Sequence, residues 1–218
     1  MRREDTATTS PVPIRILIAE DHLIVRAGLQ ALINSQADML VVAEATNGEQ
    51  AIARFREYRP DVTLMDMRMP VMNGCEAVSA IRAEFPEACV VVLSTYSGDE
   101  DIRRALLAGA RSYLTKDVLD DELIAAIRTA HAGKHYLPLP VKATLAADSP
   151  RPDLSSRELE VLRLVVEGHT NKQIAHELKI ADDTAKNHVK SILKKLGASD
   201  RTHAATSAIQ RGIIHLQS

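Results

Sequence analysis

Asp61-Val62-Thr63-Leu64-Met65-Asp66 is the stretch that decides the fold: a short aliphatic run that closes on a carboxylate. Successive strand residues point to opposite faces, so in the strand expected over Asp61 to Met65 the neighbours Leu64 and Met65 put apolar side chains on both, as in a strand buried on both sides. Working outward, comparable runs occur at Ile14 to Ala19, Leu40 to Ala45, Cys89 to Leu93 and Ala110 to Leu114. The longer segments between them have helical spacing. Val25, Leu29, Leu32 and Ile33 fall at i, i+4, i+7 and i+8, and Leu123 pairs with Ile127. Five such strand and helix units between Ile14 and Lys134 predict an α/β domain with a parallel sheet covered on both faces. In sheets of this kind the ligand site lies beyond the carboxyl ends of the strands.

Past Gly133 the texture changes. Pro138, Pro140, Pro150 and Pro152 punctuate a linker over residues 135–153, with a short helix expected from Val141 to Ala147. The remainder carries no strand pattern and divides into four helices, Ser155 to Glu167, Asn171 to Leu178, Asp182 to Leu196 and Arg201 to Arg211. The expected organisation is therefore an α/β domain over 13–134, the linker, and a smaller all-α domain over 154–218.

Charge separates the two halves. The first 150 residues carry 16 Lys and Arg against 21 Asp and Glu, and the last 68 carry 11 against 8. An acidic half suits a cation and a basic helical half suits nucleic acid. The N-terminal stretch to Val12 is polar, and no apolar run approaches the roughly 18 residues of a membrane span, so a cytoplasmic protein with no membrane partner is expected. Cys75 and Cys89 are too few for a disulfide framework or a thiolate cage, and Cys89 lies in an apolar run that reads as core.

Placed on the expected sheet, Glu20 and Asp21 end the first strand, Asp66 the third and Ser94 the fourth, and Lys116 follows the fifth. An Asp at a strand end is often only a helix cap, but five polar groups at matching strand ends form a pocket. Three carboxylates converging there repel one another unless a hard divalent cation neutralises them, and Mg2+ takes oxygen ligands of this kind. With Lys116 and the Ser94 hydroxyl to balance and bind a phosphoryl group, Asp66 fits the nucleophile of a phosphoryl transfer.

On the third tail helix, Val189, Ile192, Leu193 and Leu196 form an apolar stripe, while Asp183, Lys186, Asn187, Lys190 and Lys194 share the other face, flanked by Thr184 and His188. Such a mixture is suited to phosphates and base edges. The preceding helix joins it through the short turn Lys179 to Ala181, as in a helix-turn-helix.

Glu20-Asp21, Asp66 followed by Met69-Pro70 and Asn73-Gly74, Ser94, and Tyr113 three residues before Lys116 resemble a receiver domain. Leu154-Ser155-Ser156-Arg157-Glu158, Glu167-Gly168, Asn171-Lys172-Gln173-Ile174-Ala175, Lys186-Asn187-His188-Val189 and Lys195-Leu196-Gly197 resemble a LuxR-type DNA-binding domain. Together they resemble the NarL/FixJ family of two-component response regulators. The resemblance implies a flavodoxin-like (βα)5 receiver and a four-helix helix-turn-helix domain. It implies Asp66 as phosphoacceptor, with Glu20, Asp21, Asp66 and the Arg68 main-chain carbonyl as Mg2+ ligands. Lys116 and Ser94 become phosphate contacts, and Ser94 with Tyr113 the switch pair. Asp182 to Leu196 becomes the recognition helix, with Lys186, Asn187 and Lys190 as best contacts, His188 beside them, Thr184 on a phosphate and Lys172 anchoring the backbone. The implied partners are a sensor histidine kinase, double-stranded DNA and, when phosphorylated, a second copy of the chain.

Four departures from the family pattern matter. Position 20 is Glu where many receivers have Asp, and position 94 is Ser, not Thr. Ala181 stands where a capping Ser or Thr is usual, which leaves Asp182 or Asp183 to cap the recognition helix, and Ala185 replaces a larger aliphatic residue. An aspartyl-phosphate phosphatase of the haloacid dehalogenase type would carry a second Asp two residues after the nucleophile. That position is Arg68, so a regulator and not an enzyme is expected. A regulator with a vestigial, phosphate-independent receiver is disfavoured by the complete acidic and Lys set.

Overall fold

Five strands build the first part of the chain: β1 (Ile14–Ala19), β2 (Met39–Ala45), β3 (Val62–Asp66), β4 (Val90–Ser94) and β5 (Ser112–Thr115). The structure, a computed structural model, describes residues 12–95, 98–117, 121–146 and 154–215. Most of the polar N-terminal stretch and linker residues 147–153 lie outside those residues. All pairings are parallel, in the order β2-β1-β3-β4-β5, the flavodoxin-like arrangement. β3 and β4 are buried at every position, as their unbroken apolar runs predict.

The helices of this part are α1 (Leu23–Asn34), α2 (Gly48–Tyr58), α3 (Gly74–Glu84), α4 (Asp99–Leu107) and α5 (Asp121–His131). Leu29 and Ile33 of α1 and Leu123 and Ile127 of α5 meet Ile16, Ile18, Leu64, Val91 and Leu93 in one core. Alternate strand residues Leu17, Met65 and Val92, equally buried, face the other side. Each such side chain contributes about 1.5–3 kcal/mol of transfer free energy. Cys89 is buried in the first core, as expected. Asn73 and Glu76 close a reciprocal capping box at the start of α3.

Contacts divide the described residues into two compact units, 12–95 with 105–138, and 98–104 with 139–215. His135 and Tyr136, at the head of the expected linker, are tied to the first unit: the Tyr136 hydroxyl donates to Glu122 at 2.9 Å, and a His135 ring nitrogen lies 3.0 Å from the Arg111 carbonyl. The short linker helix is α6 (Leu139–Ala146).

The remaining helices are α7 (Ser156–Val166), α8 (Asn171–Glu177), α9 (Asp182–Leu196) and α10 (Arg201–Gln210). Ser155 with Glu158 and Thr170 with Gln173 form capping boxes on α7 and α8, and Gly197, at φ 63°, ends α9 in the left-handed conformation. Val161, Leu162, Ile174, Ala185, Ile192 and Ala208 form the core, with Val189 and Leu196 packed against it. Two expectations need correction. Leu193, read as part of the core stripe, is only half-buried. Neither Asp182 nor Asp183 caps α9: Ala181 itself is the N-cap, and no side chain bonds there. Because α9 begins at Asp182, both acids lie inside its first turn, past the position from which a side chain reaches back over the free N–H groups.

Candidate acidic pocket and nucleic-acid interface

The parallel sheet delivers its polar groups to one edge because β1, β3, β4 and β5 all run the same way. Lys116 Nζ lies 2.6 Å from Glu20 Oε2 and 3.0 Å from Asp66 Oδ2, joining the ends of three strands. Glu20 and Asp66 are almost fully buried, at 1% and 3% exposure. The Arg68 amide donates to Asp66 Oδ1 at 3.3 Å, and the Lys116 amide donates to the Ser94 carbonyl at 2.7 Å, holding β4 and the β5 exit together. Ser94 and Tyr113 are both buried, and the β4–β5 register pairs Ser94 with Thr115 and Tyr113 with Val92. Gly74 is required by close approach: a Cβ there would stand 2.0 Å from the Asp66 carbonyl oxygen and push the loop off β3.

The electrostatics follow from burial. Desolvation, helped by the Glu20 charge and opposed by Lys116, pushes the Asp66 carboxyl from 3.8 up to about 6. Burial alone would lower the Lys116 ammonium, but its bonds to Glu20 and Asp66 outweigh it and hold the group above its usual range. Glu20, Asp21, His22 and Asp66 each offer a ligand atom, all within 4.8 Å of one another, a group able to hold a metal ion. Sequence reading missed His22. The signal was present, an imidazole two residues beyond the first carboxylate, but strand-end reasoning stops at Asp21.

On α9, Thr184, Lys186, Asn187 and Lys190 are exposed and His188 is half-buried. Lys172, near the start of α8, is exposed as well. Asp183 Oδ1 lies 3.0 Å from Lys186 Nζ, so the unliganded helix already pairs one of its cations internally. The far end of α9 is fixed by Glu158 of α7, a group that sequence reading placed only in a motif. Its carboxylate accepts from Ser191 Oγ and Lys195 Nζ, both at 2.7 Å, and from the Ser155 amide at 2.8 Å. Burial raises the Glu158 carboxyl, but these bonds more than offset it and bring the group to about 2.

The response regulator receiver domain family matches residues 16–128, and the luxR family of bacterial regulatory proteins matches residues 152–208. The chain belongs to the LuxR-type response regulators. These are transcriptional regulators with a DNA-binding domain, not enzymes. The regulator is 37% identical to the transcriptional regulatory protein LnrK of Bacillus subtilis, over 92% of this chain and 98% of that one. Among solved structures it is similar to the response regulator ChrA of a heme-sensing two-component system, at 36% identity and a TM-score of 0.57, covering 93% of this chain and 99% of ChrA. It is also similar to RcsB from Salmonella enterica serovar Typhimurium bound to a promoter, at 25% identity and a TM-score of 0.67, over 90% of this chain and 98% of RcsB. No helix among the described residues of this response regulator is long and apolar enough to cross a membrane.

Proposed function

We propose that a sensor histidine kinase phosphorylates this cytoplasmic regulator on Asp66, and that the phosphorylated chain dimerises and binds a repeated DNA site. The observation that carries this reading is the buried Asp66 carboxylate at the end of β3 with Lys116 Nζ 3.0 Å away. An Asp66 oxygen attacks the phosphorus of a phosphohistidine; the P–O bond forms as the P–N bond breaks, and the imidazole leaves with the bonding pair. Lys116 balances the charge added to Asp66, and the Ser94 hydroxyl donates to a phosphoryl oxygen. Withdrawal of Ser94 toward that group, followed by reorientation of the Tyr113 ring, changes the surface around β4 and β5.

The donor set fits a divalent cation: three carboxylates converge, and Asp21 Oδ1 is buried without an aligned hydrogen bond. Glu20, Asp21, Asp66 and the Arg68 carbonyl would hold Mg2+, which supplies charge neutralisation to the transferring phosphoryl group. The receiver is assigned to 13–134, the linker to 135–153 and the DNA-binding domain to 154–218, with Tyr136 anchoring the head of the linker. Lys186, Asn187 and Lys190 face base edges with His188 beside them, Thr184 meets a phosphate, and Lys172 anchors the backbone at the start of α8. One such helix offers a few base contacts worth about 1–3 kcal/mol each, so pairing two copies on a repeated site multiplies affinity.

The test is light scattering and binding to duplexes selected from a randomised pool, with and without Mg2+ and acetyl phosphate, for the wild type and Asp66→Ala. Dimerisation and tighter binding confined to the phosphorylated wild type are expected. Identical behaviour of the two proteins would move control away from Asp66.

A further inference from the structure

Glu20 and Asp21 stand in a turn of residues 20–22, between the end of β1 at Ala19 and the start of α1 at Leu23. Local determinants anchor this turn weakly. His22, the N-cap of α1, makes no side-chain cap bond, the first turn of α1 has no acidic residue, and Leu23 and Ile24 are 70% and 86% exposed. Neither capping nor apolar packing of the helix start therefore fixes the segment that carries two of the three pocket carboxylates. The Glu20 amide is tied to β2 through the Ala45 carbonyl at 3.0 Å, and the His22 amide donates to Glu20 Oε1 at 3.1 Å. The carbonyls of Glu20 and Asp21 are held from further along the chain.

Arg26, one turn into α1, supplies that hold. Its Nη1 donates to the Glu20 carbonyl at 2.8 Å and stands 3.4 Å from the Asp21 carbonyl, while Nε donates to Glu44 Oε2 at 3.0 Å. Glu44 belongs to the edge strand β2, and its other oxygen accepts from Gln30 Nε2, one further turn along α1, at 2.8 Å. The guanidinium is planar and keeps its donors in fixed directions, so anchoring Nε on Glu44 settles where Nη1 points. The Arg26 side chain is only 13% exposed, so the clamp is enclosed by the fold and is not a surface ion pair. We propose that Arg26 is a positioning residue for the cation site: it holds the main chain of Glu20 and Asp21 so that their carboxylates stay gathered with Asp66. The inference deepens the proposed phosphoacceptor reading and rests on it.

Positioning and charge act in opposite directions here, and that separates them. A guanidinium beside an acidic pocket repels a second cation, so loss of its charge alone would tighten Mg2+ binding. Loss of the clamp frees the turn, and binding must then order a segment that the wild type holds ready, which weakens it. Partners that orient metal ligands from outside the coordination shell are typically worth 10–100-fold in affinity. Glu44, paired with Arg26, already offsets much of the guanidinium charge, so the positioning effect is the larger of the two.

The experiment titrates Mg2+ into the full chain by calorimetry, for the wild type, Arg26→Met and Arg26→Lys, each below its own unfolding transition in EDTA so that a lost site is not a lost fold. Arg26→Met keeps an unbranched stem but no donors, and its Mg2+ dissociation constant is expected to rise about 10–100-fold. Arg26→Lys keeps the charge without the planar fork and should fall between the two; it carries the test if Arg26→Met does not fold. The Mg2+ concentration that half-saturates phosphorylation by acetyl phosphate should rise by the same factor, while the rate at saturating Mg2+ changes little, a split that general destabilisation would not produce. Unchanged or tighter Mg2+ binding by the folded variants would overturn the assignment of Arg26 alone. Failure of the wild type to bind Mg2+ would overturn the phosphoacceptor reading with it.

Discussion

Replacing Asp66 by Asn should stabilise the metal-free receiver at neutral pH, although Asp66 is the proposed phosphoacceptor. Asp66 is 3% exposed, and its carboxyl sits at about 6 instead of 3.8, mainly through burial and secondarily through the Glu20 charge. A difference of roughly two units corresponds to about 3 kcal/mol between the folded and unfolded carboxylates. Asn removes that cost, but it also removes one of the two carboxylates facing Lys116, whose contact with Glu20 remains. The net gain expected is about 1–3 kcal/mol. The sign is set by which state holds the proton. Between pH 4 and 6 the unfolded chain has ionised Asp66 while the folded chain has not, so wild-type stability falls as pH rises through that window and is level above it. The advantage of Asp66→Asn should therefore be small at pH 4 and complete by pH 7. Scanning calorimetry in EDTA at several pH values reads it directly, as a rise of about 4–12 °C in the receiver transition at pH 7. Mg2+ should then stabilise the wild type more than the variant. A lowered transition at pH 7, or a shift independent of pH, would refute the claim that the pocket is held under electrostatic strain.

Two further outcomes follow from the helical domain. Glu158→Ala removes the capping-box return and the bonds from Ser191 and Lys195, and should cost that domain about 2–4 kcal/mol in thermal unfolding. Because the Glu158 carboxyl is depressed to about 2, its contribution is complete above about pH 4.5 and is lost as pH falls toward 2, so the gap between the two proteins should close on acidification. Asp183→Asn frees Lys186 and removes a negative charge from the first turn of α9, the end proposed to meet DNA. It should tighten nonspecific DNA binding and steepen the salt dependence by about one unit in the log-log slope, whereas an unchanged slope would place Lys186 away from phosphates.

The sheet was legible because its determinants are local. β1 begins and ends where the Ile14 to Ala19 run does, and the other strands differ from their apolar runs by one or two residues. Those shifts are toward the carboxyl end for β3, β4 and β5, which extend to Asp66, Ser94 and Thr115 because ladder bonds to a neighbouring strand, not side-chain polarity, decide where a strand stops. The pocket was legible for the same reason: parallel direction alone brings strand ends together. The contact of His22 with Glu20 and Asp21 was not, since it depends on how the chain turns after β1. Nor was the Glu158 link to Lys195, which joins helices 37 residues apart through tertiary packing that no local pattern encodes.

The start of α9 shows how a local departure is distributed between stability and binding. Ala181 at the N-cap forfeits a side-chain bond of about 1 kcal/mol that Ser or Thr would supply. Asp182 and Asp183 in the first turn return part of it, about 0.3–1 kcal/mol each, by interacting with the helix dipole. That compensation draws on the same positive end of the helix that would attract a DNA phosphate, and Asp183 in addition engages Lys186. The two acids therefore stabilise the free helix at the expense of nonspecific binding, and their effect on the two properties has opposite sign. Asp183→Asn separates these roles, because it should lower the unfolding temperature of the helical domain while raising DNA affinity. Ala181→Ser restores the cap without touching charge, so it should raise the first and leave the salt slope of the second unchanged.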